Sequence, residues 1–297
     1  MNVESGVSLS RFTTIGTGGP ARHFARPETV EELGELLAWA RASELPVAPV
    51  GLGSNLVVSD AGFPGLVVKL DGELAAARAE DGHLIAGGGA PLAVCLHRAR
   101  ASDLGGIEFV CAIPGTVGGG VWMNAGAYGG DIASVLARAQ VVDEAGARWL
   151  TPPELGLHYR RSALRRGQIV AGAEFRLEPK PADEIKATVA DMQRQRKDAQ
   201  PTNKRTFGSV FKNPRHELTA GRLLEACGLK GHRIGGAQIS PKHANFIENA
   251  GGATSADAVA LIAEARRRAL AQFGVHLEAE VQLLGDIEIP PLAADTT

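Results

Sequence analysis

The chain has 297 residues, of which 44% are hydrophobic and 22% charged, with 3 cysteines and a formal net charge of −2. This composition excludes disordered, collagen-like and disulfide-framework proteins, and the length is typical of about two globular domains. No apolar run approaches the roughly 18 residues of a membrane span, and the polar start 1–6 is not a signal peptide, so we expect a cytoplasmic protein. The histidines show no ligand spacing, and we expect no metal.

Local signals in the first half predict helices and strands in alternation. Thr29 followed by Glu32 has the pattern of a capping box and predicts a helix whose apolar face carries Val30, Leu33, Leu37 and Ala40. Strands are expected at 47–50, 56–59, 66–70 and 83–86. Pro91 suits the first turn of a second helix that ends near Ala101.

The second half contains a predicted hairpin, 135–142 with 148–151 around Glu144–Gly146. The other predicted elements are a strand at 169–177, helices at 183–199, 220–227 and 255–273, and a final strand at 277–284. We therefore expect an α+β protein with a nucleotide-binding domain over 1–200 (core about 17–182). A smaller domain over 201–286 and a disordered tail over 287–297 would follow.

The first glycine-rich loop, Gly51 to Asn55, follows a predicted strand. Gly51 and Gly53 let backbone amides approach a phosphate, and Ser54 and Asn55 add side-chain donors. The third glycine of a Rossmann fingerprint is replaced by Leu56, and a strand follows instead of a helix, so this is not a Rossmann site. A simple turn without a ligand is the alternative interpretation.

The second glycine-rich loop, Pro114 to Gly126, is more informative. So much glycine is unfavourable in chain entropy, which favours extended backbone lying against a ligand over a glycine-rich bulge. The predicted cofactor contacts in this loop are Pro114, Gly115, Thr116, Gly118, Gly119, Asn124, Ala125 and Gly126. Those in the first loop are Gly51, Gly53, Ser54, Asn55 and Leu56.

Together with other motifs in the same order, these loops make the chain resemble the UDP-N-acetylenolpyruvoylglucosamine reductase family over about 12–285. The further motifs are Tyr159-Arg160-Arg161-Ser162, Gly208-Ser209-Val210-Phe211-Lys212-Asn213-Pro214, Gly228-Leu229-Lys230-Gly231, Arg233-Ile234-Gly235-Gly236-Ala237 and Leu277-Glu278-Ala279-Glu280-Val281. The resemblance implies a p-cresol methylhydroxylase-type FAD-binding domain of two α/β subdomains, then a substrate-binding domain. It also implies non-covalent FAD, NADPH as co-substrate, and reduction of a UDP-sugar enolpyruvyl ether to UDP-N-acetylmuramate for peptidoglycan.

The resemblance assigns three catalytic residues. Arg160 and Glu280 would stabilise the enolic intermediate, and Ser209 would protonate it. Tyr159, Lys212 and Asn213 would contact the substrate. This chain departs from many members of the family at 215–217, and it resembles the branch without an inserted tyrosine loop over the substrate diphosphate.

Charge is unevenly distributed along the chain. Residues 158–242 hold 18 Lys and Arg against 8 Asp and Glu, which favours an anionic partner such as a diphosphate over a merely solvated surface. We expect no nucleic acid and no membrane partner, and we expect a monomer. Two alternatives stay open: an FAD-dependent sugar or alcohol oxidase, and a non-catalytic relative that binds UDP-sugar or flavin.

Overall fold

The computed structural model describes residues 2–292. The α-helices in that range are α1 (Val30–Ala42), α2 (Leu92–Ala101), α3 (Val117–Met123), α4 (Pro152–Leu155), α5 (Ala182–Ala199), α6 (Ala220–Ala226) and α7 (Ser255–Phe273). Short 3₁₀ helices span Leu9–Phe12, Gly72–Ala75, Glu108–Ala112 and Ile132–Ser134. None of the helices in the described part of the chain combines the length and apolar character that crossing a bilayer requires.

The strands fall into several sheets and are numbered along the chain. They are β1 (Val3–Ser8), β2 (Pro20–Ala25), β3 (Val47–Pro49), β4 (Leu56–Val58), β5 (Phe63–Val68), β6 (Ala77–Glu80), β7 (His83–Gly87), β8 (Leu104–Gly105), β9 (Gly126–Ala127), β10 (Gly130–Asp131), β11 (Leu136–Asp143), β12 (Gly146–Leu150), β13 (Ile169–Arg176), β14 (Glu178–Pro179), β15 (Thr206–Ser209), β16 (Arg233–Ile234), β17 (Ala237–Ile239), β18 (Phe246–Asn249) and β19 (Gln282–Leu284).

The first of two compact units comprises Met1–Ser5, Arg22–Leu52 and Pro64–Arg196. Its largest sheet is antiparallel and has the order β12-β11-β13-β7-β6, and a second sheet has the order β1-β2-β5-β3. Apolar side chains of α2 and α3 form one core with the large sheet, and α1 forms another with β5. Burial of this apolar surface is the main stabilising contribution.

The second unit comprises Gly6–Ala21, Gly53–Phe63 and Lys197–Thr297. Its sheet has the order β15-β18-β17-β16, and β19 pairs in parallel with β4. Residues of α6 and α7 complete the core of this unit with the sheet. The division into functional domains at residue 200 stays a prediction.

The segment predicted as a disordered tail, 287–297, is described as far as residue 292. Ile287 and Ile289 pack against the core of the second unit, and Leu292 is buried. The rest of that segment, 293–297, lies outside the described residues.

The predicted starts of α1 and α7 are confirmed, and each is capped by a threonine hydroxyl that accepts from an amide in the first turn. The Glu32 amide donates to Thr29 Oγ1 at the start of α1, although the Glu32 carboxylate accepts from the Glu28 amide rather than from Thr29. The Thr254 hydroxyl and the Asp257 carboxylate form a reciprocal capping box at the start of α7. The predicted hairpin is confirmed as β11 paired with β12.

Two predictions about the backbone are wrong. Residues 117–123, expected as extended chain against a ligand, form helix α3. The strand expected over 277–284 is regular only in β19, and before it Ala279 makes an isolated bridge with Phe211. Both differences change how the candidate site is built.

Candidate active site

The first glycine loop contacts the second within the first unit. A Cβ atom on Gly51 would lie 2.5 Å from Thr116 Oγ1, so only glycine fits there. The Lys69 ammonium donates to the Gly51 carbonyl oxygen over 3.4 Å. Burial lowers the pKa of Lys69, and the neighbouring Arg26 lowers it further. Sequence reasoning missed Lys69, whose only signal is a cation directly after the apolar run of β5.

Gly53, the next glycine of this loop, is required for a different reason. Its φ is +63°, and a Cβ atom would overlap the carbonyl oxygen of Phe12. L-residues are disfavoured in this left-handed region and glycine is not. The loop therefore depends on backbone packing as much as on any ligand.

The second glycine loop is built around α3. The Thr116 hydroxyl caps this helix by accepting from the Gly119 amide. A Cβ on Gly118 would lie 3.0 Å from the Gly88 carbonyl oxygen, which already accepts from the Gly118 amide at 2.7 Å. The absence of a side chain at Gly118 thus lets α3 approach the neighbouring backbone closely.

The residues of this region fit a flat polar ligand that lies on the main chain. Gly119 is exposed, and a Cβ there would meet only Thr116 Oγ1, at 3.7 Å. Gly51 lies directly beside the same hydroxyl. The Thr116 side chain therefore lies beside both loops, and the main chain at Gly119 is exposed next to it. Pro114, Gly115, Ala125 and Gly126 flank α3, and their contacts with a cofactor stay predictions.

Asn124 ends α3 and is only 2% exposed. Its φ is +41°, a conformation that asparagine tolerates better than most residues. Its side-chain amide donates to Asp131 Oδ2 (3.2 Å) and to the His158 carbonyl (3.1 Å), and its Oδ1 accepts from the Ala133 amide (2.9 Å). These contacts lie within the protein, so a direct cofactor contact by Asn124 stays a prediction.

The segment held by Asn124 carries Arg160. The amides and carbonyls of His158 and Arg161 bond to one another, which closes a tight turn with Tyr159 and Arg160 at its tip. Arg160 has a φ of +54°. A non-glycine residue in this region costs about 1–3 kcal/mol, and such strain concentrates at functional sites.

The Arg160 guanidinium donates to the carbonyl of Gly126 and lies over the Tyr159 ring, 5.0 Å from its centroid. Tyr159 is 56% exposed, an unusual position for a large aromatic side chain. A permanently charged planar group beside an exposed ring is suited to bind a carboxylate and an adjoining apolar surface.

The second unit holds Ser209 and Glu280 on adjacent segments. Ser209 ends β15 and is half-buried, after Gly208 with a φ of +82°. The Glu280 amide donates to the Val210 carbonyl at 2.8 Å, and the Lys212 amide donates to the Glu278 carbonyl at 3.0 Å. Two residues predicted from distant motifs are thus joined through hydrogen-bonded backbone, whereas Arg160 belongs to the other unit.

Asn55 is also part of this arrangement. Its side-chain amide donates to the Glu280 carbonyl at 3.1 Å, and its own carbonyl accepts from the Gln282 amide at 3.0 Å. Leu56 begins β4, which pairs with β19. In the second unit, Asn55 therefore supports the backbone of Glu280, and its cofactor contact stays a prediction, as do those of Ser54 and Leu56.

The predicted substrate residues Lys212 and Asn213 have partners in the protein. The Lys212 ammonium lies 2.6 Å from Glu278 Oε1, and the Asn213 Oδ1 accepts from the Ala220 amide at the start of α6. Residues 215–217, where the chain differs from many members of the family, form a compact turn. In this turn the Leu218 amide donates to His216 Nδ1. A diphosphate at Lys212 would have to compete with Glu278.

Comparison with known proteins first defines the class of this protein. Residues 21–151 match the model of an FAD-binding domain, and residues 200–284 match the C-terminal domain of UDP-N-acetylenolpyruvoylglucosamine reductase. The protein is therefore a flavoprotein with an FAD-binding domain and a second domain particular to one family. The predicted α+β fold is confirmed.

Relatives that match nearly the whole chain then define the family. UDP-N-acetylenolpyruvoylglucosamine reductase 2 of Symbiobacterium thermophilum is 44% identical, over 93% of this chain and 90% of its own. The reductase of Agathobacter rectalis is 42% identical, over 94% and 92%. The crystal structure of the reductase from Thermus caldophilus superposes with a TM-score of 0.83 at 38% identity, over 96% of this chain and 99% of its own. The chain belongs to the UDP-N-acetylenolpyruvoylglucosamine reductase family.

Proposed function

We propose that this protein reduces UDP-N-acetylglucosamine enolpyruvate to UDP-N-acetylmuramate, a precursor of peptidoglycan, with NADPH as the source of hydride. FAD, when bound, accepts a hydride from NADPH and delivers it to the substrate. The observation that carries the proposal is the hydrogen-bonded pairing of the segment after Ser209 with the segment that holds Glu280. It brings a hydroxyl and a carboxylate from separate motifs into one unit.

The glycine loops would hold the FAD. Gly51 and the exposed face at Gly119 offer adjacent main chain, and Lys69 adds a positive charge beside Gly51. A dinucleotide carries two phosphates, which favour backbone amides and a nearby cation. No His or Cys stands in the loop Gly51 to Asn55, which supports a non-covalent cofactor.

The proposed chemistry needs three groups from the protein. Addition of hydride to the terminal carbon of the enolpyruvyl group moves an electron pair toward the substrate carboxylate. Arg160 would stabilise this charge by paired hydrogen bonds, with Glu280 orienting the carboxylate end of the intermediate. Ser209 would then give its proton to the neighbouring carbon and regain one from solvent, so that NADPH and one proton are consumed for each product.

Strain supports the role of Arg160. The left-handed backbone of Arg160 and its bond to Gly126 fix the guanidinium before any substrate arrives. Groups fixed in advance stabilise a transition state without reorganisation, and this stabilisation commonly contributes more to catalysis than any other effect. Tyr159, exposed beside it, would pack on the substrate, and Lys212 and Asn213 would contact the diphosphate.

Rapid-mixing measurements of the two half-reactions test the proposal. In Ser209→Ala, NADPH should bleach the flavin absorbance at the wild-type rate, and the return of colour on adding substrate should slow by about 10²–10⁴-fold, the usual contribution of a positioned acid. Ser59→Ala is the matched control, since it removes a hydroxyl that donates to the Asp286 carbonyl and accepts from the Ala61 amide. Equal rates in Ser209→Ala and wild type would contradict the role of Ser209.

The same preparation distinguishes the alternatives. Consumption of oxygen with simple sugars, without oxidation of NADPH, would indicate an oxidase, and a colourless protein that FAD cannot reconstitute would exclude both enzymes. We further propose that the enzyme works in the cytoplasm, where charged nucleotide co-substrates are available, and that it is a monomer. Light scattering at a mass near 31.0 kDa would support the monomer, and twice that mass would contradict it.

A further inference from the structure

Asn245 precedes β18 and is a buried polar side chain, 4% exposed, outside the predicted site. Its Oδ1 accepts from the Phe211 amide at 2.9 Å, and its Nδ2 donates to the Phe211 carbonyl at 2.8 Å. Its own carbonyl accepts from the Val210 amide at 2.9 Å. One residue thus satisfies three backbone groups of the chain directly after Ser209.

The other side of the same segment carries Glu280. The Val210 carbonyl accepts from the Glu280 amide, and Phe211 bridges to Ala279. The segment Val210–Lys212 is therefore bonded to Asn245 along one edge and to the Glu278–Glu280 backbone along the other. Any shift of this segment would move Ser209 and Glu280 relative to each other.

On the edge that faces Asn245, regular strand pairing does not hold this segment in place. β15 ends at Ser209, and its register with β18 shifts between Thr206 and Ser209. Beyond that point the Asn245 side chain replaces a paired strand, because an amide carries both a donor and an acceptor in one plane. Val210 and Phe211 are buried, so these backbone groups need such partners.

We propose that Asn245 is a positioning residue for the reduction step, one that sets the Ser209 hydroxyl against the substrate by fixing the backbone of Phe211. This inference rests on the proposed function, in which Ser209 is the proton donor. Asn245 acts through Ser209 and touches neither substrate nor cofactor. A misplacement of about 1 Å at a reacting group can lower a rate by roughly 10²-fold.

The test is a double-mutant cycle on the substrate half-reaction, using FAD-loaded full-length protein. Asn245→Ser should slow the return of flavin colour by about 10–100-fold and leave bleaching by NADPH unchanged. In the Ser209→Ala background the same substitution should slow the return of flavin colour by less than about 3-fold, since the effects of substitutions at coupled residues are not additive. A residue that only stabilises the fold would act equally in both backgrounds.

Asn249→Ser is the matched control. Asn249 ends the same strand and also makes three side-chain bonds to backbone, with Ile15, Gly251 and Ala253. It should lower stability and leave both half-reactions unchanged. If Asn245→Ser does not fold, Asn245→Asp keeps the volume and the acceptor for the Phe211 amide but lacks the donor for its carbonyl.

The outcomes are separable. Equal slowing in both backgrounds, or no slowing by either Asn245 variant, overturns the inference while the proposed function stands. No slowing by Ser209→Ala alone removes the proton donor from the proposed function, and with it the role of Asn245. If Asn245→Ser slows the substrate half-reaction in wild type but not in the Ser209→Ala background, the result supports both the proton-donor role of Ser209 and the positioning role of Asn245.

Discussion

Asn124 offers a direct measure of what holds the Arg160 turn. Asn124→Gly removes the three side-chain bonds to Asp131, His158 and Ala133 but keeps a residue that accepts a φ of +41°. Each bond contributes about 0.5–1.5 kcal/mol, so the free energy of unfolding should fall by about 2–4 kcal/mol. Asn124→Ala should lose about a further 1 kcal/mol, because alanine is strained in the left-handed region.

The assay is thermal unfolding of both variants, followed by circular dichroism. For a unit of this size about 1 kcal/mol shifts the midpoint by about 2–4 °C, so Asn124→Gly should melt roughly 4–16 °C below wild type. Asn203→Gly, at an exposed turn, is the control and should melt near wild type. A midpoint of Asn124→Gly within about 2 °C of wild type, or an alanine variant more stable than the glycine one, would refute the reasoning.

Two further predictions concern backbone packing and pH. Gly53→Ala should yield a protein that binds FAD weakly or misfolds, because a Cβ would overlap the Phe12 carbonyl and the φ of residue 53 is +63°. The measurement is the flavin content of the purified variant, and a content equal to that of wild type would contradict the prediction. Burial lowers the pKa of His243 below its ordinary value of 6.5, and the Nδ1 atom of His243 must stay unprotonated to accept from the Asn245 amide. Protonation of His243 should therefore destabilise the fold progressively as pH falls through and below about 6.5. Denaturant titrations at pH values above and below about 6.5 should show that the free energy of unfolding falls less with pH in His243→Gln than in wild type. The same dependence on pH in both proteins would contradict this role of His243.

The local elements were predictable because their causes lie within one or two turns of chain. Thr29 and Thr254 bond to amides three residues on, and both helix starts follow from that spacing. The hairpin of β11 and β12 follows from alternation around a turn. The ordered motifs likewise carried Arg160, Ser209 and Glu280, since a family pattern is a property of the sequence itself.

Helix α3 shows what local reasoning could not reach. Three consecutive glycines disfavour a helix by intrinsic propensity, so the sequence alone favoured extended chain. Packing reverses this preference, because Gly118 lies against the Gly88 and Val170 carbonyls, where a Cβ atom would be 3.0 and 3.2 Å from the oxygens, closer than ordinary van der Waals contact. Gly88 and Val170 are each separated from Gly118 by tens of positions along the chain.

The sequence by itself determined the family, the capped helices and which side chains carry the proposed chemistry. Only the tertiary structure decided how those side chains are supported. Asn245 bonds to Phe211 across 34 residues, and Asn124 bonds to His158 across the same separation. Such contacts follow from the packing of whole elements, and a lone asparagine in a sequence carries no sign of the backbone group it will meet.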